Sequence, residues 1–334
     1  PETSALLAMD SEAKIQGSWT DWFAYLALRV VICAIHSMPL EACDRACHIL
    51  AYLLADWTSL RRQITDENLD RVYGEISAEH RSLLRRKMWH HLLLMVCEIA
   101  HAPRKIHRTN WREHFYMPDK NQVFKIMMDP RPLVLVTGHF GNFEVAGHAV
   151  GDLGVPTTTV ARPLDNPYID RYISEFRAMG GQHMLPKDGS AVAIQELLEA
   201  GGTLGLLADQ HAGGKGVWVD FFGHATSCHK ALALFVLSSK APMFVHYNRR
   251  LDRPLRFEMG VTGLADPALL DGEEVPEYLQ SVHDLTEWYN ARLEEAIRLA
   301  PEQYWWLHRR WRQVPPAARR RIQARKRKKL GKAA

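Results

Sequence analysis

Paired cysteines are absent from this chain. Its five cysteines, Cys33, Cys43, Cys47, Cys97 and Cys228, form no disulfide framework and no Cys-x2-Cys motif, which suits a reducing compartment. Cys43, Cys47 and His48 share a helical spacing, but small buried residues rather than metal ligands are expected there. No Gly-x-Ser-x-Gly elbow occurs, so a nucleophilic serine is not expected. The glycine-rich stretch His211-Ala212-Gly213-Gly214-Lys215-Gly216 lacks the Gly-x4-Gly-Lys-Ser/Thr order of a phosphate loop, which argues against nucleotide binding. A run of roughly 20 apolar residues, the length of a membrane span, is missing as well. Nor is there an internal repeat, or the basic start, apolar centre and small-residue cleavage site of a signal peptide.

What is present fits one medium-sized folded domain with extensions. The 334 residues are 47% hydrophobic, enough for a substantial core. The net charge of +4 hides an asymmetry: residues 309–334 carry 12 Lys and Arg and no acid, leaving 30 bases against 38 acids elsewhere, a net of −8. The basic end from Arg319 to Lys332 is expected to be disordered. It lacks aromatics for base stacking, so nucleic acid is not an expected partner. From 19 to 57 the chain is rich in Trp, Tyr, Leu, Ile and Val but is interrupted by Arg29, His36, Pro39, Glu41, Asp44 and Arg45. An interfacial helix with Trp19, Trp22 and Tyr25 at headgroup level fits that pattern, as does an amphipathic helix packed on the domain.

Hydrophobic periodicity predicts a long amphipathic helix over 78–100. Strands are then expected over 133–137, 157–161, 203–207 and 243–247, alternating with helices over 168–179, 190–200 and 230–239, and a closing helix over 276–299. Such alternation predicts an α/β fold with a central, mostly parallel sheet flanked by helices. The expected division is an N-terminal membrane-associated helical segment over 1–60, an α/β domain over 61–312, and a basic tail over 313–334.

The first strand, Leu133-Val134-Leu135-Val136-Thr137, leads into Gly138-His139-Phe140-Gly141-Asn142-Phe143-Glu144. A histidine just past a strand end, with glycines on both sides, is open to a ligand. A carboxylate on one imidazole nitrogen fixes the tautomer and stabilises the imidazolium, so His139 and Glu144 read as a general base and its orienting acid. Arg162 and Asp209-Gln210 follow two other strands and are expected on the same sheet edge. Arg162 is a candidate for a developing oxyanion or an acceptor phosphate. Asn142 and Gly141 are expected to shape the turn beside bound substrate.

His-Phe-Gly-Asn-Phe-Glu after a buried strand resembles the signature of the lysophospholipid-acyltransferase-like superfamily, most closely its bacterial lipid A biosynthesis (late) acyltransferase branch. Arg162-Pro163-Leu164-Asp165-Asn166-Pro167, Leu207-Ala208-Asp209-Gln210, the block from Gly216 to Gly223, Asn68-Leu69 and the block from Pro301 to Arg310 are similar to further segments of that family, in the same order. His211 departs from it, standing where relatives usually carry an acid, as does Cys228-His229-Lys230. The resemblance implies a His139–Glu144 catalytic dyad, substrate contacts from Arg162, Asp209, Gln210, Asn142 and Gly141, and no metal. It implies transfer of a fatty acyl group from an acyl carrier protein or coenzyme A thioester, used as co-substrate, to a hydroxyl of a lipid A precursor. A phosphatidylinositol-mannoside-type glycolipid or a lysophospholipid is the alternative acceptor, and a noncatalytic lipid-binding protein the alternative of another class. The expected place is the cytoplasmic face of the inner membrane, with the basic tail toward an anionic membrane surface, and with Phe140, Phe143, Trp218, Phe221 and Phe222 as candidates to line an acyl slot.

Overall fold

Four helices open the described part of the chain. The structure is a computed structural model, describing residues 17–187, 189–270 and 274–333. Helix α1, Trp19–Ser37, starts in a capping box in which Ser18 and Asp21 satisfy each other's backbone donors. It is followed by α2, Leu40–Tyr52, which runs into a π-helical turn over Leu53–Trp57. Helix α3, Arg62–Tyr73, stops at Gly74, whose φ of 73° suits a residue without Cβ. Helix α4, Ala78–Lys105, is capped by Ser77 and extends about one turn past its predicted end.

Among the described residues no helix is long and apolar enough to cross a membrane. One side of α1 is docked: His36 Nε2 lies 2.8 Å from the Ala100 carbonyl oxygen, and Asn166 donates to the Asp21 carbonyl at 2.9 Å. The other side is not, and Trp19 is 82% exposed, with Phe23 and Val30 also open to solvent.

The chain then alternates. Helix α5 (Trp111–His114), β1 (Phe115–Tyr116) and α6 (Lys120–Met127) lead to β2 (Leu133–Thr137), α7 (Phe143–Asp152), β3 (Thr157–Ala161) and α8 (Pro167–Met179). Next come β4 (Gln182–Pro186), α9 (Ala191–Glu199), β5 (Thr203–Leu207), a β6–β7 hairpin (Val217–Phe221 and His224–Cys228) and α10 (Lys230–Ser239). Strands β8 (Met243–Arg250) and β9 (Phe257–Ala265), α11 (Val282–Leu299) and α12 (Pro316–Ala333) complete it. The main sheet has the order β1-β9-β8-β2-β5-β3-β4, parallel except for the β8–β9 pair. The expected α/β class is therefore what forms, and three of the four predicted strands have the predicted bounds. The fourth, β8, continues to Arg250.

Both sheet faces are buried, which is why β2 reads as an uninterrupted apolar run. Val134, Val136, Leu204 and Val245 pack toward α9, α10 and α11, while Leu133, Leu135 and Phe244 pack toward α6 and α7. Each such side chain contributes about 1.5–3 kcal/mol when fully buried. Cys43 and Cys47 of α2 are buried against Cys97 and Leu94 of α4, as the small-residue reading expected.

The tail departs from expectation. It is the helix α12 rather than a disordered segment, because Ala, Arg, Lys, Gln and Leu are good helix formers and Pro316 occupies its first position. Arg325 lies 3.8 Å from Asp284 of α11.

Candidate active site

Because β2 and β5 are parallel neighbours in register from Leu133–Thr203 to Thr137–Leu207, their C-terminal ends deliver the residues that follow them to one place. His139 follows β2 and Asp209 follows β5. The His139 Nδ1 atom is 2.7 Å from Asp209 Oδ1, and the His139 backbone N–H donates to Asp209 Oδ2 at 2.8 Å. Gly138 makes this approach possible, since a Cβ there would sit 3.2 Å from the Asp209 carboxyl carbon.

Both groups are nearly enclosed, with side-chain exposures of 12% for His139 and 4% for Asp209. Burial by itself lowers an imidazole pKa, but the Asp209 charge and its hydrogen bond outweigh burial and raise that of His139. Burial likewise opposes ionisation of Asp209. His139, the His139 N–H and the buried Arg310 guanidinium overcome it and hold the carboxyl down to about 2. An ionised Asp209 accepts from Nδ1–H and so leaves Nε2 with its lone pair. Gln210 Nε2 lies 3.3 Å from His139 Nε2, and the rings of Trp305 and Phe143 stand edge-on with centroids 5.0 and 5.2 Å from the imidazole.

The carboxylate on His139 is therefore Asp209, not Glu144. Glu144 lies in the first turn of α7, and the phase of that helix turns it toward α8, where both of its oxygens pair with Arg177, one of them with Nε at 3.0 Å. Its charge still reaches His139 and helps to raise the imidazole pKa. Arg162 is not brought to His139 either. Its side chain is 78% exposed and pairs with Asp165 at 2.9 Å, because the chain turns outward after β3.

Gly141 and Asn142 form the turn under the site. Gly141 has φ 60°, and a Cβ on it would come 2.0 Å from the Asn248 carbonyl oxygen. Asn142 is fully buried, accepts from Val145 N–H as the α7 cap and donates to Glu98 Oε2 at 2.9 Å. Glu98, Arg250 and His91 complete a buried network below it, with Arg250 Nε donating to Glu98 at 2.6 Å. Periodicity alone did not single out this network. The available signal was one glutamate inside the apolar stretch Leu94-Met95-Val96-Cys97-Glu98-Ile99.

The segment after α11 clamps the loop. Gly141 N–H donates to the Gln303 carbonyl and Trp305 N–H to the His139 carbonyl, while Asn68 of α3 donates to the carbonyls of Trp306 and His308. Arg310 is 1% exposed and reaches the Gln210 carbonyl at 2.6 Å, Cys228 Sγ at 3.0 Å and Asn290 Oδ1 at 3.0 Å. Cys228 is thus a support for Arg310. His211 N–H donates to His308 Nε2 at 3.4 Å, and its ring meets Trp218 edge-on at 5.9 Å. Phe140, Phe221 and Phe222 are core residues rather than slot lining. Phe143 borders the imidazole.

The sequence model of the bacterial lipid A biosynthesis acyltransferase family matches residues 8–313. The chain belongs to this family. It is an acyltransferase. The lipid A biosynthesis lauroyltransferase of Escherichia coli (strain K12) is 25% identical over 304 residues, covering 89% of this chain and 92% of that protein. The lipid A biosynthesis palmitoleoyltransferase of the same organism is 23% identical over 261 residues, covering 76% and 80%. A phosphatidylinositol mannoside acyltransferase of Mycolicibacterium smegmatis (strain ATCC 700084 / mc(2)155) is 28% identical over 152 residues, covering 40% and 50%.

Proposed function

We propose that this acyltransferase moves a fatty acyl chain from an acyl thioester, on acyl carrier protein or coenzyme A, to a hydroxyl of a lipid A precursor or a related glycolipid at a membrane surface. The observation that carries the mechanism is a histidine whose Nδ1 is held by a buried, ionised carboxylate, which leaves the Nε2 lone pair facing the Gln210 amide. His139 Nε2 takes the proton of the acceptor hydroxyl as its oxygen attacks the thioester carbonyl. The tetrahedral intermediate then expels the thiolate, the carbon–sulfur bond breaks, and the proton on His139 passes to the leaving sulfur. No acyl-enzyme forms. Asp209 stabilises the imidazolium, and general-base help of this kind is worth roughly 10²- to 10⁴-fold in rate.

Gln210 caps Nε2 at rest and yields to the acceptor hydroxyl. Glu144, tied to Arg177, adds negative potential behind the imidazole rather than a direct hydrogen bond. Membrane attachment is supported by the apolar face of α1, where Trp19, Phe23 and Val30 are exposed, and by the basic residues of α12, each worth about 1 kcal/mol near an anionic surface. A phosphatidylinositol-mannoside-type acceptor is the second reading, favoured by the relative from Mycolicibacterium.

The test is incubation of purified protein with acyl carrier protein and coenzyme A thioesters and extracted membrane lipids, read by mass spectrometry. A glycolipid gaining one acyl unit, lost in His139→Ala, supports the proposal. Lipid binding with no transfer from any donor refutes it.

A further inference from the structure

Away from the active site, α2 and α4 bring together a set of ligands that the acyl-transfer chemistry does not use. Asp44 and His48 stand one helical turn apart on α2, and His90 of α4 faces them. His90 Nε2 is 2.7 Å from Asp44 Oδ1, and the His48 and His90 rings stack with centroids 3.6 Å apart and planes 11° apart. One nitrogen from each histidine and one Asp44 oxygen lie within 4.8 Å of one another. No Lys or Arg among the described residues forms an ion pair with Asp44.

We propose that Asp44, His48 and His90 form a divalent transition-metal site, of the zinc class, that fastens α2 to α4. Two imidazoles and one carboxylate are a borderline-soft donor set, suited to Zn²⁺ and unsuited to Mg²⁺ or Ca²⁺. The stacked rings hold their in-plane lone pairs parallel, so a shared ion requires the exposed His48 ring to turn about its side-chain torsions, after which the i, i+4 pair and His90 reach one ion. The cation takes the place of the hydrogen now shared by His90 and Asp44. With metal–ligand bonds of about 2.0–2.2 Å, their N···O separation widens to roughly 3.3 Å, a shift that side-chain torsions absorb. His48 is exposed, so the fourth position opens to water and the ion enters from solvent. The site lies at the rim of the α2–α4 interface, beside the buried Cys43 and Cys47. A metal there cross-links the same two helices that those thiols pack together.

The test uses the full-length protein stripped with chelator and then dialysed against Zn²⁺ alone, with Co²⁺ as a spectroscopic probe. The wild type is expected to bind one equivalent tightly, to show the visible absorption of tetrahedral Co²⁺, and to melt at higher temperature with metal than without. Loss of a residue that merely supports a ligand costs about 10- to 100-fold in metal affinity, so His48→Ala and Asp44→Asn should weaken binding at least ~10-fold and abolish the melting shift. His48 is at the surface, so its variant folds. His283→Ala, altering a second cluster with Asp284 and Glu287, should bind as the wild type does. Wild-type affinity in both His48→Ala and Asp44→Asn, or no binding by the wild type, overturns the proposal.

Discussion

Asp209 grips His139 twice, through Nδ1 at 2.7 Å and through the backbone N–H at 2.8 Å, so one carboxylate sets both the tautomer and the position of the imidazole. Glu144, five residues from His139 in the chain, is engaged with Arg177 instead. The two carboxylates therefore have separable roles.

Asp209→Asn keeps the shape of the site but offers an amide where the Nδ1 proton needs an anion. Acyl-transfer turnover should fall roughly 10²- to 10⁴-fold. Glu144→Gln removes a longer-range charge and should cost much less, about tenfold or under. Steady-state kinetics on the two variants decide the matter: a Glu144→Gln loss equal to or larger than that of Asp209→Asn would sink the assignment of Asp209 as orienting acid.

The pH–rate profile should show an acid limb. His139 must be neutral to accept a proton, and its pKa is raised above the ordinary value near 6.5. Turnover therefore rises with pH through that raised value. In Asp209→Asn the stabilising charge is gone while burial remains, and the limb should move to lower pH. A limb that stays put would show that another group is titrating.

Glu98→Ala leaves the Arg250 guanidinium buried without its anion, and Asn142 loses an acceptor. Removing one member of a buried ion pair costs about 3–5 kcal/mol. The loss should appear as a lower denaturant midpoint with an unchanged slope. A loss below about 1 kcal/mol would mean that water replaces the carboxylate.

Gly141→Ala places a side chain at φ 60° and against the Asn248 carbonyl oxygen. Stability should fall by about 2 kcal/mol or more, and activity with it, because the His139 loop must move. Thermal melting and turnover measured on one preparation test both effects.

Exchanging Trp19 and Phe23 for serine should reduce co-sedimentation with anionic vesicles without changing the melting temperature. These side chains are exposed in the fold, so what they lose is burial in the bilayer interface. Equal vesicle binding by wild type and variant would count against α1 as the contact.

The apolar run of β2, the alternating strands and helices and the strand-end histidine were legible in the chain, because period-2 and period-3.6 patterns are local properties. The β6–β7 hairpin, β4 and β9 carry no comparably strong local pattern, and in α12 a dense positive charge masks good helix propensity. Asp209 and Gln210 were expected near His139 as substrate contacts, and the structure sets Asp209 on Nδ1 and Gln210 3.3 Å from Nε2. Arg310, one arginine in a run of basic residues, carried no local sign of burial.

By itself the sequence determined the α/β class, the family and the position of His139 at a strand end. Tertiary structure decided which acid lies against it. That choice depends on β5 lying beside β2, which sets Asp209 next to His139 across 70 residues of chain. It depends equally on the phase of α7, which turns Glu144 to Arg177. Hydrogen bonds are sensitive to tenths of an ångström, and sequence spacing constrains only the chain path between two residues, not the neighbours that compete for them.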